Sequence, residues 1–296
     1  MMSKTAPHPF ARAVAIWNTA PTGGPGAAKA AAASPAERTA VFQRVISFYS
    51  HTRREEDGAR EDAELGINRL CFSNLFPCTI HVSAHVERTA AAAAGVSQLL
   101  IHKELVDIDY SSTENLFQAA KCANLCDALF VAHALDSREA AMFGQGRMTL
   151  SDAHRERLIK YGANPDDFQR AKSNSWKRTA SGYPLMREDW DSIKPYVMMT
   201  ALRLKFDVPS VGAAIVQTGA QEAVNSLTAL AARDENILLV EHVDRDRQWG
   251  DGLLGEGTNM LGKMLTQLLW EKRHGCTYPL DLAWLRRPNN TVAEYP

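Results

Sequence analysis

The chain has 296 residues, and its formal net charge of −1 gives no global basic field that would favour bulk binding to nucleic acid. Hydrophobic residues make up 45% and charged residues 23%, as in ordinary globular proteins, and no run approaches the roughly 20 apolar residues that span a bilayer. The length suits one large domain or two small ones.

The five cysteines form no dense, paired framework, and an odd number favours reduced thiols in an intracellular protein, cytoplasmic or nuclear. Cys122 and Cys126 stand four residues apart on a predicted helix, which in principle could supply half of a metal site. No second Cys/His pair has zinc-like spacing, so we predict buried structural thiols and no metal site.

Residues 1–44 are rich in Ala, Pro, Gly and Thr and cannot bury a core, so we predict a flexible low-complexity tail there. Its first acidic residue is Glu37, and it carries Lys4, Arg12 and Lys29. This composition weakly resembles a transit peptide, which keeps mitochondrial targeting as an alternative.

Ordered structure is predicted from Val45, where a short apolar run indicates a strand. The charged stretch 51–66 is interpreted as a solvated loop. Alternation over 79–87 and an apolar run over 99–108 predict two further strands, joined by a long hairpin connection.

A helix is predicted from Ser111 to about His133, with Ser111 and Glu114 at the spacing of a capping box. Glu114, Gln118 and Lys121 stand at i, i+4 and i+7, which places them on one stripe of this helix. The stripe is either a catalytic row or a polar face on which Glu114 caps the helix. Because the helix is otherwise apolar, Lys121 either snorkels or lies in a cleft with a lowered pKa.

Further helices are predicted over 137–143, within 148–182, over 190–206 and within 208–232, and a short buried strand over 237–242. An amphipathic helix follows from Met260. We interpret residues 276–296, which contain Pro279 and Pro288, as a loosely attached C-terminal tail. The long segments are helical and the strands few and short, so we predict one predominantly helical α+β domain.

The segment between the last strand and the last long helix is a second candidate site. Gly252, Gly255 and Gly257 precede the helix and could let backbone N–H groups approach an anion, aided by the helix dipole. Their spacing matches neither a P-loop nor a dinucleotide fingerprint, and three glycines before a helix are more often a turn. Trp249 beside the loop carboxylates suits a ligand with a base, a sugar and phosphates.

Several short motifs occur in one order along the chain. They are Phe48-Tyr49-Ser50, Phe72-Ser73-Asn74, Glu114 with Phe117-Gln118-Ala119-Ala120-Lys121, Asp189-Trp190 with Val197-Met198, Leu239-Val240-Glu241-His242, and the run from Asp246 through Trp249-Gly250-Asp251-Gly252 to Asn259 and Gly262. This ordered set resembles the YbiA/NADAR family of N-glycosidases over about residues 45–273, most specifically in the run 249–262. The resemblance implies a YbiA-like catalytic domain over 45–275.

The resemblance implies hydrolysis of N-glycosidic bonds to ribose phosphates at a site that needs no metal or cofactor. Family substrates are amino-pyrimidine intermediates of riboflavin synthesis, or ADP-ribose attached to guanine. Insertions at 79–104 and 148–182 favour a larger substrate, so we expect ADP-ribosylated guanine in DNA or RNA. The alternatives are an N-glycosidase of riboflavin-pathway ribosylamino-pyrimidine phosphates and a module that binds ADP-ribose without cleaving it.

Carried over by position, Glu114, Trp190 and Asp246 match residues that the family uses for activity. Lys121 matches the lysine proposed to form a Schiff base with the sugar. We therefore expect Lys121 as nucleophile, Glu114 as proton shuttle and Asp246 as the residue that orients ribose hydroxyls or water.

The expected substrate contacts are the other polar, aromatic and glycine positions of these motifs: Phe72, Asn74, Gln118, Arg147, Trp190, Trp249, Gly250, Asp251, Gly252, Gly255 and Asn259. Arg147 depends on which pair matches the Gly-Arg of the family, because Gly144-Gln145 competes with Gly146-Arg147 for that alignment.

Overall fold

The structure, a computed structural model, describes residues 14–16, 39–49, 56–144, 148–166, 186–207, 220–243, 246–252 and 257–287. Over these residues the chain is mostly helical with a few short strands, which confirms the predicted α+β class.

The contacts divide the chain into two compact units. The terminal unit comprises Met1–Ser73, Val208–Ser210 and Glu222–Pro296, and the central unit comprises Asn74–Asp207 and Val211–Gln221. The predicted domain boundaries near residues 44 and 275 stay predictions.

The elements of the described residues are, in chain order, β1 (Val14–Ile16), β2 (Thr39–Val41), β3 (Arg44–Phe48), α1 (Glu56–Leu65), β4 (Ile80–His81), α2 (Ala84–Ala94), β5 (Asp109–Tyr110), α3 (Thr113–Lys121), α4 (Leu125–Ala132), α5 (Ser137–Gly144), α6 (Asp152–Lys160), α7 (Trp190–Lys205), α8 (Gln221–Ala231), β6 (Ile237–Glu241), α9 (Met260–His274) and α10 (Leu282–Arg286). Short 3-10 turns lie at Arg69–Phe72 and Lys103–Leu105. No helix of this described part is long and apolar enough to cross a membrane.

The core of the terminal unit is a pair of parallel strands, β3 and β6, in which Ile46 lies opposite Leu239. All five residues of β6 are buried, as the aliphatic run predicted for a strand covered on both faces. Helix α9 packs against β6, and the Thr266 hydroxyl accepts a hydrogen bond from the Leu239 N–H at 3.0 Å. The separate strands β1 and β2 pair with each other, antiparallel.

The charged stretch that we interpreted as a loop contains helix α1, so that interpretation is wrong for residues 56–65. The buried Arg69 explains the difference. Its guanidinium donates to Asp62 Oδ1 at 2.6 Å, to Glu61 Oε2 at 2.8 Å and to the Ser47 carbonyl at 3.0 Å. Two carboxylates of α1, those of Glu61 and Asp62, thus bind the Arg69 guanidinium instead of facing water alone.

The two strands predicted over 79–87 and 99–108 are largely wrong. Within these two segments, the strand of the described structure is β4, which pairs antiparallel with β5 just beyond the second segment, and residues 84–94 form α2. The Ser83 hydroxyl caps α2 by accepting from the Val86 N–H at 3.3 Å, and Gly95 ends it with φ of 69°. A run of alanines after a serine cap favours a helix over the strand that alternation suggested.

The central helix predicted over 111–133 is two helices, α3 and α4. Asn124 starts the second one, because its Oδ1 atom accepts from the Cys126 N–H at 2.7 Å. Ser112, not Ser111, caps α3 by accepting from the Asn115 N–H at 3.1 Å. The predicted capping box is therefore wrong, and Glu114 stands one position before the place that a capping box requires.

The described part of the predicted C-terminal tail packs against α9. Trp284 and Leu285 of α10 are buried, and the fully buried Lys263 of α9 donates to the carbonyls of Trp284 at 3.2 Å and Arg287 at 2.6 Å. Burial lowers the pKa of Lys263 to about 7. A buried amine thus holds the end of α10 in place.

Candidate functional site

The polar stripe predicted on α3 is a hydrogen-bonded row. Gln118 lies in its middle, where its amide nitrogen donates to Glu114 Oε1 at 2.8 Å and its amide oxygen accepts from Lys121 Nζ at 3.4 Å. Glu114 and Gln118 are both buried. A single amide therefore links the carboxylate to the amine, and these two bonds fix the orientation of that amide.

Asn74, expected as a substrate contact, binds the Glu114 carboxylate of this row. Its side-chain nitrogen donates to Glu114 Oε2, and its backbone carbonyl accepts from the Glu114 backbone N–H at 3.1 Å. The Glu114 carboxylate thus accepts from two side-chain amides, those of Asn74 and Gln118. These contacts place the carboxylate in the polar row, while the side-chain cap of α3 is Ser112.

The Lys121 amine lies at the end of α3 and also donates a hydrogen bond to the carbonyl of Gly144, the last residue of α5. Burial is the main cause of a lowered pKa of Lys121. The negative charge of Glu114 opposes this shift, as a Cys122 thiolate would, and the positive charge of Lys194 adds to it. Burial thus shifts the pKa of Lys121 in the direction that a nucleophilic lysine requires.

Trp190 begins α7 and packs against α3, where its ring lies 4.8 Å from that of Phe117. Arg187 precedes it and binds Asp189 Oδ1 at 2.6 Å and the Leu99 carbonyl at 2.6 Å. The Arg187 N–H also donates to the Lys121 carbonyl at 3.1 Å. These bonds fix the start of α7 beside the polar row, with Trp190 on the apolar side of α3.

In the terminal unit, the loop after β6 contains most of the remaining expected site residues, from Asp246 to Asn259. Asp246 Oδ1 accepts from the N–H groups of Gln248 at 3.0 Å and Trp249 at 2.8 Å, so this carboxylate is fixed at the start of a turn. Phe72, by contrast, is fully buried, and its ring lies 6.0 Å from that of Phe48 in the core. Arg147 and Gly255 lie outside the described residues.

Asn259 has a structural role that the sequence did not predict. Its backbone is left-handed, with φ of 51°, and its side chain is fully buried. Its Oδ1 atom accepts from the Glu241 N–H at 2.9 Å, and its Nδ2 atom donates to the Leu239 carbonyl at 3.0 Å. Both ends of the amide thus bind the backbone of β6.

Close backbone packing explains the glycines of this loop. A Cβ on Gly257 would lie 2.4 Å from the Gly250 carbonyl oxygen, and one on Gly250 would lie 2.9 Å from the Asp246 carbonyl oxygen. Gly252 has φ of 70°, a left-handed conformation that favours glycine. Of the three glycines that we predicted before this helix, Gly252 and Gly257 are thus explained by the backbone of a turn, and Gly255 lies outside the described residues.

The start of α9 is closed by its own loop. The N–H groups of Met260 and Leu261 donate to the carbonyls of Gln248 and Trp249, each at 3.1 Å. The N–H of Asn259 donates to the Gly250 carbonyl at 3.0 Å. An anion at this helix start would have to displace these bonds, which counts against the phosphate contact expected from Asn259 and the helix dipole.

His242 is a polar residue of this loop that the predicted site left out. Its Nδ1 atom lies 2.9 and 3.1 Å from the two carboxylate oxygens of Asp251, which is fully buried. Its ring meets that of Tyr49 edge-on at 5.5 Å. Tyr49 and His242 directly follow the parallel strands β3 and β6, and ligands of α/β proteins often bind at such carboxyl ends. A histidine directly after a buried strand was the available signal.

Among the described residues, no group of three or more His, Cys, Asp and Glu side chains is arranged to hold a metal ion. The polar groups brought together in the central unit are instead an amine, a carboxylate and two amides. This set can exchange protons and supply a nucleophile without a metal.

Comparison with known proteins places these residues in a family. The model of the NADAR domain family matches residues 60–270. N-glycosidase YbiA of Escherichia coli (strain K12) is 39% identical over 83 residues, which cover 28% of this chain and 42% of that protein. The riboflavin biosynthesis protein PYRR, chloroplastic, of Zea mays is 32% identical over 111 residues, which cover 37% of this chain and 15% of that protein.

The chain thus matches less than half the length of each of these curated relatives. The NMR structure of the E. coli protein YbiA has a TM-score of 0.42 and 22% identity, and the comparison covers 77% of this chain and 84% of that chain. Since the family model matches well over half of the residues, the chain belongs to the NADAR domain family.

Proposed function

We propose that this protein is an N-glycosidase that hydrolyses a C1′–N bond to ribose, and that its substrate is ADP-ribose attached to guanine in DNA or RNA. The observation that carries the proposal is the row on α3, in which Gln118 links the Glu114 carboxylate to the Lys121 amine. The lowered pKa of Lys121 supports its role as a nucleophile.

The proposed reaction begins with attack of the neutral Lys121 amine on C1′, while the C1′–N bond breaks and Glu114 delivers a proton to the departing base. The ribosyl-lysine then opens its C1′–O4′ bond, a proton moves to O4′, and an imine forms between C1′ and Nζ. Water adds to the imine and releases the sugar as an aldehyde, which restores the amine. One water is consumed in total, and Glu114 moves protons in both halves.

The remaining roles follow the family resemblance. Asp246 is proposed to orient ribose hydroxyls or water, because its Oδ1 atom is fixed by two N–H groups and Oδ2 can accept from a hydroxyl. Trp190 and Trp249 are proposed to contact the ligand. Asn74 is proposed to act through Glu114, since its side chain binds that carboxylate.

The test is release of free ADP-ribose from ADP-ribosylated guanine DNA. Loss of a proton-transfer group lowers rates by about 10²–10⁴-fold, so we expect Glu114→Gln to lose activity on that scale and Lys121→Ala at least as much. Matched controls are Lys160→Ala and Glu104→Gln, which alter exposed residues of the same types. Full activity in Lys121→Ala would refute the imine intermediate on Lys121. Full activity in Glu114→Gln would refute the role of Glu114 in proton transfer.

Hydrolysis of a riboflavin-pathway ribosylamino-pyrimidine phosphate is the second candidate, favoured by the similarity to a riboflavin biosynthesis protein of Zea mays. Assaying both substrates with the same protein separates the two. A module that only binds ADP-ribose would instead show tight binding without turnover. A pure binder needs no enclosed amine linked to a carboxylate, so the α3 row favours an enzyme.

A further inference from the structure

We propose that Gly144 is a positioning residue of the site: its carbonyl and the Gln118 amide together hold the Lys121 amine, and its lack of a side chain leaves room for that amide. The inference rests on the proposed function, because the amine held in this way is the proposed nucleophile. It also gives Gln118 a role that acts through Lys121 instead of through the substrate.

Space, and not backbone conformation, requires a glycine at this position. A Cβ on Gly144 would lie 1.9 Å from Gln118 Oε1, 2.2 Å from Cδ and 2.7 Å from Cγ. The backbone of Gly144 does not have a positive φ, so other residues could adopt its conformation. Both residues are buried, so the Gln118 side chain cannot simply swing into water. Any side chain at 144 therefore displaces the amide.

Displacing the amide would break both of its bonds at once. Gln118 Nε2 donates to Glu114 at 2.8 Å and Gln118 Oε1 accepts from Lys121 at 3.4 Å. Glu114 would keep its bond to Asn74, whereas Lys121 would lose the acceptor that joins it to the carboxylate. The amine is thus the group whose position depends most on Gly144.

The carbonyl of Gly144 can accept from Lys121 because it lies at the end of α5. The last four carbonyls of a helix have no partner within the helix and need one elsewhere. They also carry the negative end of the helix dipole, which attracts an N–H donor. The backbone at the end of α5 thus supplies an acceptor for the Lys121 amine.

The Gly144 carbonyl and Gln118 Oε1 are two acceptors that the protein itself places at the amine. A neutral amine has two N–H bonds and one lone pair. When the two N–H groups donate hydrogen bonds to the Gly144 carbonyl and to Gln118 Oε1, the direction of the lone pair is set by the protein. Such pre-orientation matters, because misplacing a reacting group by about 1 Å can lower a rate about 100-fold.

The experiment traps the imine directly with free ADP-ribose. The open-chain aldehyde of ADP-ribose condenses with Lys121 and releases water, and cyanoborohydride then delivers hydride to the C=N bond, which leaves a stable secondary amine. Peptide mass spectrometry measures the rate of labelling at Lys121 in the full chain. The variants are Gly144→Ala, Gln118→Ala and the double variant, with Met142→Ala, an exposed position of the same helix, as the control.

We expect wild-type protein and Met142→Ala to label at the same rate, and Gly144→Ala and Gln118→Ala to label about 100-fold more slowly. The double variant should match Gln118→Ala, because the side chain that a Cβ at 144 would strike is then gone. In turnover, Gly144→Ala should lower kcat even after the rate is divided by the folded fraction measured by urea unfolding, because a general loss of folding lowers the apparent kcat only through that fraction.

The outcomes separate this inference from the proposed function. Wild-type labelling together with unchanged labelling in Gly144→Ala or in Gln118→Ala overturns the positioning role alone. The opposite result is a double variant that labels more slowly than Gln118→Ala, by the same factor that separates Gly144→Ala from wild type. That result overturns the claim that a Cβ at position 144 acts by displacing the Gln118 side chain. If wild-type protein does not label at Lys121, the proposed function loses its nucleophile and the inference falls with it. If Gly144→Ala does not fold, the double variant and Gln118→Ala decide.

Discussion

Replacing Asn259 by alanine separates a structural role from a substrate contact at this position. The substitution removes the acceptor for the Glu241 N–H and the donor to the Leu239 carbonyl, both within the buried strand β6. It also leaves a residue with a Cβ but no polar side chain in a left-handed conformation. We expect the loss to fall on stability and on the ordering of β6.

The magnitude follows from the groups left behind. Two backbone groups of a buried strand lose their partners, and each such loss costs about 1–3 kcal/mol, while left-handed alanine adds about 1 kcal/mol. The free energy of unfolding should therefore fall by about 3–7 kcal/mol in Asn259→Ala. Asn259→Gly should be less destabilised by about 1 kcal/mol, because glycine adopts the left-handed conformation without a steric penalty.

Two measurements on the full chain check this expectation. Urea unfolding reports the free energy, and native-state hydrogen exchange reports the Glu241 amide, whose exchange should accelerate in Asn259→Ala. An unfolding free energy within about 0.5 kcal/mol of wild type, with Glu241 still protected, would refute the reasoning. A raised KM without any change in stability would instead support a direct substrate contact.

Three further predictions concern the core and the thiols. Because burial lowers the pKa of Lys263 to about 7, the unfolded chain binds a proton that the native chain does not between pH 7 and about 10.5. The unfolding free energy should therefore rise with pH in that window by up to about 1.4 kcal/mol per unit, and Lys263→Met should remove this slope in paired denaturation series. Arg69→Met should destabilise the chain by about 3–5 kcal/mol in urea, since it leaves the buried Asp62 unpaired, and adding Asp62→Asn should recover part of the loss. In the native state a thiol reagent should modify the two partly exposed cysteines, Cys126 and Cys276. It should spare the three buried cysteines, which are Cys71, Cys78 and Cys122. Equal labelling of all five would contradict this difference in burial.

The pattern of apolar residues predicted the elements that are buried on one face, such as a packed helix, or along their whole length, such as a central strand. The helix over 190–206 and the buried strand over 237–242 appear as α7 and β6 with bounds close to those expected. The row on α3 was also predictable, because i, i+4 and i+7 spacing depends only on helix geometry. Gln118 as the bridge between Glu114 and Lys121 follows from the same spacing.

The remaining differences come from contacts between distant positions. Helix α1 depends on Arg69, whose partners cannot be recognised from a run of charges. Gly144 lies 23 residues after Lys121, so no local pattern indicates that its carbonyl meets the amine. The break at Cys122 was predictable in part, since Asn124 followed by Asp127 is typical of a helix start.

The close packing of the glycine loop has a consequence for how relatives of this protein are recognised. A Cβ at Gly262 would lie 2.2 Å from the Leu239 carbonyl oxygen, so this position, like Gly250 and Gly257, is selected by the shape of the backbone. A homologue that lost its chemistry would still need these glycines in order to fold. The loop therefore identifies ancestry, whereas under the proposed function the amine and carboxylate of the central unit would distinguish an active homologue from an inactive one.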